Sequence, residues 1–77
     1  MFCDVFKSKK KDETYLYVEK DTVLGELPAE LQNLLGELAF VMELEISSNR
    51  KLAREKPEVV LSNIAKQGFH LQLPPKI

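Results

Sequence analysis

The sequence predicts a small α+β fold: an antiparallel or mixed sheet of about four strands carrying two helices, in the order ββαβαβ. Three observations predict it. Residues 69–73 (Phe-His-Leu-Gln-Leu) alternate apolar and polar between a glycine and a proline, as a short strand does. Residues 57–65 repeat apolar side chains at helical spacing. Residues 38–46 carry apolar groups at every even position. At 77 residues the chain is expected to form one domain over 1–77.

The elements follow in order. Phe2-Cys3-Asp4-Val5-Phe6 is rich in aromatic and β-branched residues and reads as a first strand. Residues 7–13 are wholly polar and read as a loop, and Thr14-Tyr15-Leu16-Tyr17-Val18 then has strong strand preference. The two predict an antiparallel hairpin. Residues 19–26 form a polar connector. Pro28 suits a first helical position, Leu27, Leu31, Leu34 and Leu35 share one face, and Gly36 closes the helix.

Residues 38–46 suit a strand better than a helix, because alternation persists over the whole segment. The pattern predicts one face buried throughout and the second only at its start, where the odd positions Ala39 and Val41 are apolar before Glu43 and Glu45. Ser47-Ser48-Asn49-Arg50 is turn chemistry. Pro57, Val60, Leu61, Ile64 and Ala65 then define a second amphipathic helix. Lys56 gives it a poor N-cap, and Gly68 ends it. Both helices are expected on the same side of the sheet, with the other side open.

Thr14-Tyr15-Leu16-Tyr17-Val18 after a lysine-rich loop, with Gln67-Gly68-Phe69 and Leu71-Gln72-Leu73-Pro74-Pro75, resembles the YcgL domain family of small bacterial proteins. Cys3 and Arg50-Lys51-Leu52-Ala53 are similar to that family too. The resemblance covers nearly the whole chain. It implies an α+β fold and a cytoplasmic protein of proteobacterial type, and it implies no activity, substrate or cofactor. Two positions depart from the family's pattern: His70 stands where an aromatic residue is usual, and Lys56 replaces an acidic cap.

Composition narrows function without choosing it. Eleven basic and twelve acidic residues leave a net charge of −1, so no global field draws nucleic acid or an anionic membrane. No apolar run has the length of a membrane span, and no secretory leader pattern opens the chain. A single cysteine, Cys3, forms no internal disulfide. These features predict a cytoplasmic protein that does not enter a membrane.

Two clusters stand out. Lys7, Lys9, Lys10 and Lys11 form a compact basic loop, suited to phosphate contact or simply to a solvated hairpin tip; Asp12 and Glu13 partly cancel it. If the helices roof one side of the sheet, the other carries Glu43, Glu45, His70 and Gln72, with Tyr15 and Tyr17 able to join them. Tyrosines mixed with carboxylates suit a protein partner better than a phosphate backbone. The plain alternative is cross-strand pairing of the tyrosines with no partner at all.

Catalysis has less support. Cys3 and His70 are unique of their kinds and could neighbour each other if the first and last strands pair, but no third group orients them. A lone strand cysteine is more often a small buried hydrophobe. Glu43 and Glu45 have a spacing that could hold a hard cation, yet a solvated strand face explains them as well. The three glycines are too far apart to cradle a phosphate. The expectation is therefore a non-enzymatic binding or regulatory module without cofactor, contacting a protein through an open sheet face. Weak nucleic-acid binding through the lysine loop is the alternative. A monomer or weak homodimer is expected, since an exposed last strand would let two copies pair.

Overall fold

The computed structural model describes residues 1–47, 49 and 56–74. Strands β1 (Phe2–Ser8) and β2 (Tyr15–Glu19) lead through a short 3-10 turn (Leu24–Glu26) to helix α1 (Ala29–Leu35). Strand β3 (Leu38–Glu45), helix α2 (Pro57–Gln67) and strand β4 (His70–Gln72) complete the chain order. The fold is α+β, as the sequence predicts. Ser48, the Arg50–Ala53 segment and Pro75 lie outside the described residues.

The sheet has the order β3-β1-β2-β4, and every neighbouring pair is antiparallel. The predicted hairpin of β1 and β2 is present, with Val5 opposite Tyr17 and Phe6 opposite Leu16. β1 runs two residues further than the sequence suggested, so Lys7 belongs to a strand. Antiparallel pairing of both β2 and β3 with β1 makes β2 and β3 parallel to one another, joined across β1 by the α1 connection.

The helices do not share a face. Val60 and Ile64 of α2 pack on Cys3, Val5, Tyr17 and Ile46, the odd-numbered side of β1 and β2. Leu31 and Leu35 of α1, with Leu27, pack on Leu16 and Val18, the even-numbered side. The expected single roof over one side is thus replaced by three layers, helix on sheet on helix. The physical reason is written in β2: Tyr15-Leu16-Tyr17-Val18 has no polar alternate, so both of its sides need cover.

Each glycine closure has a backbone cause. Gly36 ends α1 at φ 65°, where a side chain would be strained and would press on the Lys10 side chain. Gly68 ends α2 at φ 90° in the left-handed region, its N–H donating to the Ile64 carbonyl. Lys56 offers no side-chain cap, as its residue type predicts.

β3 departs most from expectation. Its register against β1 shifts between Val5 and Phe6, a β-bulge around Val41. Leu38 and Phe40 therefore lie on the α1 side with Ser8 and Phe6, whereas Met42 and Leu44 lie on the α2 side with Val5 and Cys3. Alternation in the sequence was real, but the bulge divides the even positions between two faces. Neither face of β3 is buried throughout, because the strand stands at the rim of the sheet beyond both helices.

Candidate interaction surface

The six residues expected on an open face are split between two places. Tyr17, His70 and Gln72 are buried on the α2 side, and Tyr15 is half-buried beside them. Register explains the grouping: Tyr17 stands opposite His70, and Tyr15 opposite Gln72. The Tyr17 hydroxyl donates to Gln72 Oε1 at 2.9 Å, and its ring meets the His70 ring edge-on at 5.7 Å. Asn63 of α2 places its amide nitrogen 2.9 Å from His70 Nδ1. These polar groups join α2 to the β2–β4 pair.

Glu43 and Glu45 lie on the other side of the sheet and at its opposite rim, opposite Asp4 and Phe2 of β1. Glu43 pairs with Lys20 at 2.9 Å, and its carboxylate holds the Lys20 ammonium above its ordinary range. The open-face grouping therefore fails on topology. Two helices on opposite sides leave no bare face on which these six side chains could meet.

Cys3 and His70 are not neighbours. β1 and β4 are separated by β2, and Cys3 stands opposite Glu19, two residues along from the Tyr17 that faces His70. Cys3 is fully buried, and burial raises its thiol above its ordinary value of 9.0. A desolvated thiol is a poor nucleophile. Among the described residues no group of three or more His, Cys, Asp or Glu side chains is placed to hold a metal ion.

The lysine segment is a fixed turn. Buried Ser8 accepts hydrogen bonds at Oγ from the N–H groups of Lys10 and Lys11, and donates from the same hydroxyl to the Leu35 carbonyl. Lys9 lies 3.5 Å from Glu37, and Lys10 Nζ donates to the Asn33 carbonyl at 3.2 Å. Lys7 projects from β1 and is exposed. Two of the four cations thus already serve the turn that ties the hairpin to α1.

What the sequence reading missed is the rim formed by β3. Phe40, Val41 and Met42 are consecutive, apolar and 59%, 42% and 48% exposed. Phe40 touches Phe6 edge-on at 5.7 Å but otherwise faces solvent. Among the described residues no strand pairs with the outer side of β3. The apolar odd position Val41 predicts burial on both faces at the start of the strand, whereas the residue is exposed.

A second apolar feature lies under α1. A cavity of about 200 Å³ is lined by Leu16, Leu24, Leu27, Leu31, Leu35 and Leu38. Gln32 is the polar side chain at its wall, and its amide already donates to the Leu27 carbonyl at 2.8 Å. The cavity brings no ionisable side chain to its lining, so it offers no acid–base chemistry.

Comparison with known sequences decides the family. The YcgL domain model matches residues 3–75, nearly every described element. The chain belongs to the YcgL domain family. A YcgL domain-containing protein of Pseudomonas paraeruginosa is 48% identical over 73 residues, 95% of this chain and 75% of the relative. One from Pseudomonas fluorescens is 44% identical over the same coverage. Another, from Thioalkalivibrio sulfidiphilus, is 40% identical over 72 residues, 94% of this chain and 89% of its own. The YcgL match takes in both the buried polar cluster under α2 and the exposed β3 rim.

Among the described residues no helix is long and apolar enough to cross a membrane.

Proposed function

We propose that this YcgL-family protein is a non-enzymatic binding module that meets a protein partner through the outer edge of β3. The observation that carries the reading is the Phe40-Val41-Met42 run, exposed on an eight-residue edge strand. An edge strand presents unpaired N–H and C=O groups, and an added strand supplies their partners. Apolar side chains on both sides of that strand then add buried area to the ladder. The contact lies on the rim of the sheet; Tyr17, His70 and Gln72 serve to hold α2 in place.

Nucleic-acid contact through Lys7, Lys9, Lys10 and Lys11 has weaker support. Glu37 partly neutralises Lys9, and the chain carries no basic excess elsewhere.

The test is capture of partner proteins on immobilised chain, comparing the unaltered protein with a Phe40→Lys, Met42→Lys double variant. Charges on an edge strand oppose strand addition without touching the core. Proteins retained by the unaltered chain and lost by the folded variant are the expected result. An identical set on both would remove β3 from consideration.

A further inference from the structure

We draw no further inference here: the strongest candidate, the leucine-lined cavity of about 200 Å³ between α1 and the sheet, is an apolar hollow with no charged group in its walls, and nothing in the structure shows what would fill it.

Discussion

The two rims of the sheet solve the same problem in opposite ways. β4 is three residues long, with His70 and Gln72 tucked under α2 and Leu71 packed against the α1-side cluster. β3 is eight residues long, and its central residues face solvent on both sides. Shortness and helix cover protect the first rim from stray pairing, the usual devices for a strand edge. The second rim has charge at one end and a bulge at its middle but no helix above its apolar centre. That difference marks β4 as an element of the core and β3 as an element of the surface.

Substitutions can break or sharpen this contrast, beginning with the largest effect. Leu16 is fully buried in the strand that pairs with β4. Truncation by Leu16→Ala should cost about 2–5 kcal/mol, read from urea unfolding. Val41→Ala on the β3 rim should change stability by less than about 0.5 kcal/mol. Comparable losses at both positions would mean that β3 is as firmly packed as β2. Tyr17→Phe removes the hydrogen bond to Gln72 and should cost about 0.5–1.5 kcal/mol in the same assay.

Cys3 sharpens the contrast through pH. Its folded thiol titrates above its ordinary value of 9.0 because burial disfavours the thiolate. The unfolded chain therefore loses this proton first as pH rises. In that window the folded state binds more protons, so the slope of unfolding free energy against pH is negative. Stability should decline as pH climbs through and beyond the ordinary thiol range, and Cys3→Ala should flatten that decline. Disulfide-exchange reagents should label Cys3 slowly in the folded chain and rapidly in urea. Smallest of all is Lys20→Gln, which removes an exposed ion pair with Glu43 and should leave the unfolding midpoint unchanged.

Most of the fold was legible because its signals are local. The alternation of residues 69–73, the helical spacing of Val60, Leu61 and Ile64, and the glycines at 36 and 68 each specify an element without reference to the rest. The side of the sheet on which each helix sits is not local. It depends on strand order, which no periodicity encodes, and the only hint was the unbroken apolar run Tyr15-Leu16-Tyr17-Val18. The bulge at Val41 is equally non-local: it changes which side chains of β3 share a face, and that follows from the pairing with β1 rather than from the order of apolar residues. Glu43 and Glu45 parted from His70 and Gln72 through register: they stand opposite Asp4 and Phe2 on the α1 side, whereas His70 and Gln72 stand opposite Tyr17 and Tyr15 on the α2 side. Tyr17 and His70, residue types with polar tips, join α2 and β4 to the sheet instead of lying on an open face.

The most direct test of an open β3 edge is native-state amide hydrogen exchange, measured residue by residue in dilute solution. The outward amides of Leu38–Glu45 should exchange rapidly while those linking β1, β2 and β4 stay protected. Strong protection of every β3 amide in dilute solution would show the edge already covered and would contradict the account.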